Sequence, residues 1–130
     1  MNKDKKVMSS LRKRRLIIYI DLGIINIQSS YNNTILTISN NKGKVLYVTS
    51  TGIYGFKHTK KGTPFAAYTM TEKALQKIQM KSAKLIVKGP GIGKEAVLRV
   101  LKNKNITILK IYDMNELPYN GCRSPYRRRV

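Results

Sequence analysis

Apolar and β-branched residues in the first part of the chain predict three β-strands, at residues 23–31, 34–39 and 45–50. The alternation is imperfect in the second strand, where Ile35, Leu36 and Ile38 are all apolar. Residues 40–43, Asn-Asn-Lys-Gly, favour a tight turn because Asn and Gly tolerate positive φ. Strands joined by such short turns predict an antiparallel meander.

The period of the apolar residues changes after residue 62, where a helix is predicted. Thr63 is suited to cap its N-terminus and Pro64 to occupy the first helical position. Lys73, Lys77 and Lys81 lie off the apolar face. We expect that face to pack in the core, with Phe65, Ala66, Met70, Ala74, Leu75 and Ile78 as its members.

Two further strands and a second helix follow. Residues 85–87 predict a short strand closed by a turn, residues 93–103 a helix, and residues 106–112 a last strand. We expect the inward face of the second helix to consist of Ala96, Val97, Val100 and Leu101. The chain order β-β-β-α-β-α-β predicts an α/β fold with a sheet of mixed strand direction.

The apolar run at residues 16–20 has two interpretations. Its composition is typical of a strand, but Asp21 and Gly23 separate it from the strand predicted at residues 23–31. It is therefore either a strand of its own or an arm packing on a partner protein. We therefore divide the chain into a basic N-terminal extension (residues 1–22), an α/β domain (residues 23–115) and a basic tail (residues 116–130).

Positive charge dominates the composition. The chain has 26 Lys and Arg against 6 Asp and Glu, a net charge of +20, while 42% hydrophobic residues support a packed core. Residues 1–15 carry a local charge of +6 and residues 119–130 carry +4, on a domain that is itself basic. This pattern predicts nucleic acid as the partner. The N-terminal candidates for binding it are Arg12, Lys13, Arg14 and Arg15.

Several other classes of protein are disfavoured. Cys122 is the single cysteine, so no internal disulfide can form. The longest apolar run is far shorter than the roughly 18–20 residues of a membrane helix, so we expect no membrane partner. His58 is the single histidine and has no cysteine near it in sequence, so we expect neither a metal site nor a cofactor.

The glycine-rich segment at residues 89–95 (GPGIGKE) follows a predicted strand and opens a helix. It fails as a Walker A loop because Glu95 replaces the hydroxyl residue, and its third Gly comes one residue early for a dinucleotide fingerprint. A glycine-rich turn at a helix N-terminus still suits an RNA phosphate, with Lys94 adding charge. The alternative is a plain tight turn.

The segment at residues 52–62 mixes glycines, lysines and the aromatic residues Tyr54 and Phe56. Such a composition suits RNA, because cations meet phosphates and rings stack on unpaired bases. The alternative is a solvated loop whose rings are tucked into the core. The tail from residue 118 onward is basic and rich in turn residues, and we expect it to order on its partner.

Four collinear segments resemble the family of the universal eleventh protein of the small ribosomal subunit, bacterial type. They are SSYNNTILTI (29–38), GFKHTKKGTPFAA (55–67), VKGPGIGKE (87–95) and PYNGCRSPYRRRV (118–130). The resemblance implies a three-layer ribonuclease-H-like fold with a mixed five-stranded sheet. It implies a structural protein on the platform, bound to small-subunit ribosomal RNA near the messenger RNA path. It also implies the sixth, seventh, eighteenth and twenty-first small-subunit proteins as neighbours.

Position by position, the resemblance also implies which residues contact RNA. In the domain they are Asn32, Asn33, Lys57, Lys60, Lys61, Gly91, Gly93 and Lys94. In the tail they are Asn120, Gly121, Arg123, Arg127, Arg128 and Arg129. The chain departs from the family at Tyr119, where His is usual, at Tyr126, which interrupts a basic run, and at the apolar residues 16–20.

Gly62 stands where most bacterial members of the family have Ser, which resembles the plastid branch, and the composition indicates an AT-rich genome, so we expect a plastid or relict plastid ribosome. The alternative location is the cytoplasm of a low-GC bacterium.

Two other functions remain in competition. A metal-dependent nuclease of the same fold needs several carboxylates around paired metal ions, whereas Asp21, Glu72, Glu95 and Asp113 are scattered in the sequence. A free RNA chaperone would be found mainly off the small subunit.

Overall fold

Five strands and two α-helices follow one another as β-β-β-α-β-α-β in the computed structural model, which describes residues 17–130. The strands are β1 (Ile18–Ser29), β2 (Thr34–Asn40), β3 (Val45–Ser50), β4 (Ile78–Lys88) and β5 (Thr107–Asp113). The helices are α1 (Pro64–Lys77) and α2 (Gly93–Asn103). Two short 3₁₀ helices, Thr51–Tyr54 and His58–Gly62, lie between β3 and α1. The candidate cations Arg12, Lys13, Arg14 and Arg15 lie outside the described residues.

The sheet has the order β3-β2-β1-β4-β5 and a mixed direction, which confirms the predicted fold class. β2 pairs antiparallel with both β1 and β3, as the predicted meander requires. β4 pairs parallel with β1 and with β5. The carboxyl ends of these three parallel strands therefore meet at one margin of the sheet, which we call the carboxyl edge, and the opposite margin is the amino edge.

Both helices pack on one face of the sheet. A single core cluster joins Ile25 and Ile27 of β1 to Met70 of α1 and Val97 of α2, all at most 1% exposed. The described residues thus form two of the three layers that the family resemblance implies, one of helices and one sheet. Within residues 17–130, no helix is long and apolar enough to cross a membrane.

The alternation that looked imperfect in β2 is regular in the structure. Thr34, Leu36 and Ile38 are buried against the helices, and Ile35 lies on the other face of the sheet and is half-buried. An apolar residue on the face without helices disturbed the sequence pattern. The predicted N-cap is also confirmed, because the Thr63 hydroxyl accepts a hydrogen bond from the backbone N–H of Ala66 at 3.4 Å.

The expected break after residue 20 is wrong, since β1 runs without interruption from Ile18 through Asp21 and Gly23. Residues 18–20 pair in parallel with residues 78–80 of β4, and this pairing extends the strand. Gly23 does not interrupt the strand, and a β-carbon there would lie 3.3 Å from the Met80 sulfur on the neighbouring β4. Pairing between segments distant in sequence decided the strand length here.

The helix boundary predicted beyond residue 77 is also wrong. α1 ends at Lys77, and Ile78 has the extended dihedral angles φ −124° and ψ 119°. Ile78 begins β4, which covers eleven residues instead of the predicted short strand at 85–87. Lys81 therefore lies on a strand, where its ammonium group is 3.4 Å from the Asp21 carboxylate.

One member of the predicted core stripe is misplaced. Phe65 is 69% exposed, because the buried face of α1 begins one residue later, at Ala66. Its ring packs edge-on against Phe56, with centroids 6.0 Å apart. The last strand also begins one residue later than predicted and ends at Asp113.

The core account predicts unequal effects for two leucine truncations on neighbouring strands. Leu85→Ala removes a fully buried side chain of β4, and we expect it to lower the free energy of unfolding by about 2–5 kcal/mol through lost burial and a cavity. Leu109→Ala on β5 removes a side chain that is 52% exposed and should change the free energy of unfolding by only about 0.5 kcal/mol. Urea denaturation measures both, and equal losses would contradict the assignment of the core.

Candidate nucleic-acid interface at the carboxyl edge

Hydrogen bonds of the Ser30 and Asn33 side chains hold the turn between β1 and β2. The Ser30 hydroxyl donates to the Asn33 carbonyl and accepts from the Asn33 N–H, both at 3.1 Å. The Asn33 side-chain oxygen accepts from the Thr34 N–H at 2.9 Å and from the Thr51 hydroxyl at 2.6 Å. Asn33 therefore braces the turn, while Asn32 is exposed at its tip.

The glycine-rich loop that follows β4 packs directly on this turn. The Gly91 N–H donates to the Ser29 carbonyl at 2.9 Å. A β-carbon at Gly89 would overlap the Ser29 carbonyl oxygen, and one at Gly91 would overlap that of Ser30. Gly89 also has a φ of 99°, which side-chain-bearing residues rarely adopt. The glycines let two backbone segments approach one another.

This packing decides what the loop can offer to a ligand. Gly91 and Gly93 are both buried, and a β-carbon at Gly93 would overlap the Thr34 hydroxyl. Lys94, in the first turn of α2, is only half-buried, and its ammonium group donates to the Gly89 carbonyl at 3.4 Å. The loop thus presents a lysine beside a helix N-terminus, an arrangement that suits an anion.

The connection between β3 and α1 lies against the same turn. A β-carbon at Gly62 would overlap the Tyr31 carbonyl oxygen, so the end of the second 3₁₀ helix touches the β1–β2 turn. Lys57 and Lys60 in this connection are exposed, and Lys61 is half-buried. The structure therefore brings this lysine-bearing connection to the carboxyl edge, where Gly62 lies against the backbone of Tyr31 and Asn32.

The aromatic residues of this connection pack within the protein. The Tyr54 and Tyr47 hydroxyl oxygens are 3.1 Å apart, and the Lys77 ammonium group donates to Tyr47 at 2.8 Å. The Lys73 ammonium group lies over the Tyr54 ring, 4.9 Å from its centroid. Together with the Phe56–Phe65 contact, this arrangement favours the interpretation that the rings serve packing more than base stacking.

The two tyrosines of this cluster have pKa values shifted in opposite directions. Burial alone raises the pKa of Tyr47, but the hydrogen bonds from Lys77 and Tyr54 outweigh it and leave that pKa lowered. Burial raises the pKa of Tyr54, and its neighbour Tyr47 raises it further.

The tail leaves the domain at the carboxyl edge. The Met114 N–H donates to the Val87 carbonyl at 3.0 Å, and the Asn115 side-chain oxygen accepts from the Gly89 N–H at 2.9 Å. Lys88 forms an ion pair with Glu116, and its hydrogen bond and charge lower the pKa of that carboxyl group. The start of the tail is thus fastened to the glycine-rich loop.

Beyond Glu116 the tail is exposed and forms no helix or strand. Asn120 adopts a positive φ of 54°, and the Arg123 guanidinium group lies 4.9 Å from the centroid of the Tyr126 ring. That ring contact is within the tail. The tail residues predicted to bind RNA are all exposed, namely Asn120, Gly121, Arg123, Arg127, Arg128 and Arg129.

A cleft of about 470 Å³ opens between the end of β1, the glycine-rich loop and the start of the tail. Lys88 and Lys94 line it, with Glu116 at the tail side. Sequence reasoning missed Lys88 as a member of the site. Its place at this edge follows from the parallel pairing of β4 with β1, which joins segments distant in sequence, so no local signal could have placed it there.

Comparison with known proteins matches this chain to one family. The sequence model described as Ribosomal protein S11 matches residues 23–129. The small ribosomal subunit protein uS11c of Psilotum nudum is 43% identical over 133 residues, covering 100% of both chains. That of Phaseolus vulgaris is 45% identical over 114 residues, covering 85% of this chain and 83% of its own. That of Chaetosphaeridium globosum is 41% identical over 128 residues, covering 96% and 98%.

The close packing of the loop on the turn predicts a sharp requirement for glycine. Gly91→Ala should lower the free energy of unfolding by about 1–3 kcal/mol, because its new methyl group meets backbone that cannot easily move. Gly52→Ala is the matched control, since its nearest neighbour is the flexible Lys61 side chain at 3.5 Å. Urea denaturation compares the two variants. If Gly91→Ala were as stable as the control, the packing account would be wrong.

Proposed function

The chain belongs to the ribosomal protein S11 family, and from this premise we propose that its carboxyl edge is the surface that binds small-subunit ribosomal RNA. The chain is a structural constituent of the small ribosomal subunit. The relatives named uS11c are chloroplast members of the family, and the chain accordingly belongs to a plastid ribosome, as its composition and Gly62 indicated.

The observation that carries the proposal is the convergence of four segments at one edge of the sheet. The β1–β2 turn, the β3–α1 connection, the glycine-rich loop and the start of the tail lie at great distances along the sequence. Hydrogen bonds and close glycine contacts join them there. The edge combines exposed lysines with an exposed amide and a helix N-terminus, and these groups all suit phosphate oxygens.

Each kind of residue has a distinct role in the proposed complex. Lys57, Lys60 and Lys94 neutralise phosphates, and the amide of Asn32 hydrogen-bonds at the turn. Gly91 and Gly93 are buried and do not contact RNA in the proposed complex. They contribute by letting the loop pack against the β1–β2 turn. The arginines of the tail bind further phosphates of the RNA, because a guanidinium group can bind a phosphate with two parallel hydrogen bonds. The tail orders as it binds.

We place this contact on the platform of the small subunit, near the path of messenger RNA. In that setting the neighbours are the sixth, seventh, eighteenth and twenty-first small-subunit proteins. The support is the family resemblance of the four segments that form the carboxyl edge and its tail, at residues 29–38, 55–67, 87–95 and 118–130.

A scaffolding role, without catalysis, fits the positions of the carboxylates. A nuclease with paired metal ions needs several carboxylates at one point. Asp21 lies at the amino edge beside Lys81, whereas Asp113 ends β5 at the carboxyl edge. Residues 17–130 contain no group of three or more His, Cys, Asp or Glu that could hold a metal ion.

The proposal predicts that RNA affinity depends on where a lysine lies as well as on total charge. Lys57→Ala/Lys60→Ala removes two charges at the carboxyl edge, whereas Lys102→Ala/Lys104→Ala removes two at the far end of α2. We expect the first pair to weaken binding to a platform RNA fragment and to reduce the slope of log affinity against log salt by about 1–2. Filter binding at several salt concentrations measures both quantities.

The control pair should retain nearly the slope of the unmodified protein. Equal losses for the two pairs would indicate a response to net charge alone, and the assignment of the carboxyl edge would then fail. A salt-independent affinity of the unmodified chain would contradict phosphate contact altogether.

A further inference from the structure

β1 and β4 extend past every other strand at the amino edge. The pairing of β2 with β1 ends at Asn40 opposite Gly23, and the pairing of β5 with β4 begins at Thr107 opposite Ser82. Residues 18–20 therefore pair with residues 78–80 alone, and residues 18–22 have no partner on the side away from β4, so residues 18–22 and 78–81 form a projecting segment. We call this two-stranded parallel segment the amino-edge ribbon.

The outer side of residues 18–22 is an unpaired strand edge. In the rest of β1 both sides of the backbone are paired, one with β2 and one with β4. Among the described residues, no strand pairs with the outer side of residues 18–22. Such an edge presents backbone donors and acceptors to any chain that lies alongside it, and a two-stranded segment is rarely stable when left open.

Most side chains of the ribbon are apolar, and their charges sum to zero. Ile18 is 39% exposed and Tyr19 is 73% exposed, and Ile17, which precedes the ribbon, is 40% exposed. The charged groups on the ribbon are Asp21 and Lys81, which pair with one another at 3.4 Å. Lys104 lies beside the ribbon, but within the ribbon itself the charges balance, so on a chain of net charge +20 it is less suited to a phosphate backbone than the carboxyl edge.

A cleft of about 490 Å³ lies on the ribbon beside Tyr19. Its lining mixes Ile20 and Met80, which also contact the core, with the polar side chains of Gln79, Asp21 and Lys81. This is room for one large apolar side chain next to an open backbone edge. The open strand edge, the apolar surface and the cleft together suit the binding of an added polypeptide strand. Such a strand binds through backbone hydrogen bonds and through alternate side chains.

We propose that the amino-edge ribbon is a docking site for an extended segment of a neighbouring small-subunit protein. That segment adds as a strand along the outer side of residues 18–22, and one of its apolar side chains fills the cleft beside Tyr19. The proposal rests on the proposed function for the presence of such a neighbour. In this proposal the carboxyl edge of the domain binds RNA and the amino edge binds protein.

Photo-crosslinking in assembled subunits tests this assignment. The full chain carries p-benzoylphenylalanine in place of Tyr19 in one variant, and in place of Tyr31 at the carboxyl edge in the other. Small subunits that contain each variant are isolated by sedimentation and irradiated. We expect the Tyr19 variant to give one protein adduct that survives ribonuclease, with the linked peptide mapped by mass spectrometry to a single extended segment. The Tyr31 variant should give an adduct that ribonuclease degrades.

A charge on the ribbon should then abolish the protein adduct. Adding Ile18→Lys to the Tyr19 variant places a lysine on the strand edge, and we expect the adduct yield to fall about tenfold. Val48→Lys is the matched control, an equally exposed strand residue (53%) of β3, which β2 separates from β1, and it should leave the yield unchanged.

The outcomes separate this inference from the proposed function. If neither variant entered the small subunit, the proposed function itself would fail. If both entered and the Tyr19 variant crosslinked to RNA, to another segment of this same chain, or to nothing, the docking site would be refuted while the RNA-binding edge could stand.

Discussion

The parallel pairing of β1 with β4 at the centre of the sheet is the contact on which the rest of the structure depends. These strands are adjacent in the sheet but almost fifty residues apart in the sequence, between the end of one and the start of the next. Because they run parallel, the turn after β1 and the loop after β4 leave the sheet at the same edge. The same pairing, continued past the ends of β2 and β5, creates the ribbon at the opposite edge. One contact thus positions both proposed binding surfaces.

At the carboxyl edge, the glycines allow close packing between two segments of the protein. A glycine-rich loop between a strand and a helix is often a phosphate cradle built from its own backbone. In this chain Gly89, Gly91 and Gly93 lie against the backbone and hydroxyl groups of the β1–β2 turn. The loop is thereby fixed, and in the proposed complex the lysines beside it bind the anion. A fixed edge that carries several lysines suits RNA, because contacts to its phosphates are needed at several points along an irregular path.

Local patterns predicted much of the fold. The bounds of α2, the Thr63 cap and the chain order are properties of short stretches, and all three are confirmed. The lengths of β1 and β4 were missed because they depend on pairing between residues 18–20 and 78–80, which no local window contains. For the proposed site, the composition of residues 52–62 and 89–95 predicted which loops and lysines take part, and that prediction stays a proposal. The bracing role of Asn33 and the place of Lys88 arise only when distant segments meet, so they could not be read from the sequence.

Amide hydrogen exchange on the full chain, free and bound to a platform RNA fragment, tests the central claim most directly. The account predicts new protection in residues 30–33, 57–63, 89–94 and 116–130, where the RNA would cover backbone or order the tail. Residues 18–22 and 78–81 should exchange at the same rates in both states, because the amino-edge ribbon faces away from the RNA. Protection of the ribbon, with unchanged exchange at the carboxyl edge, would contradict the account.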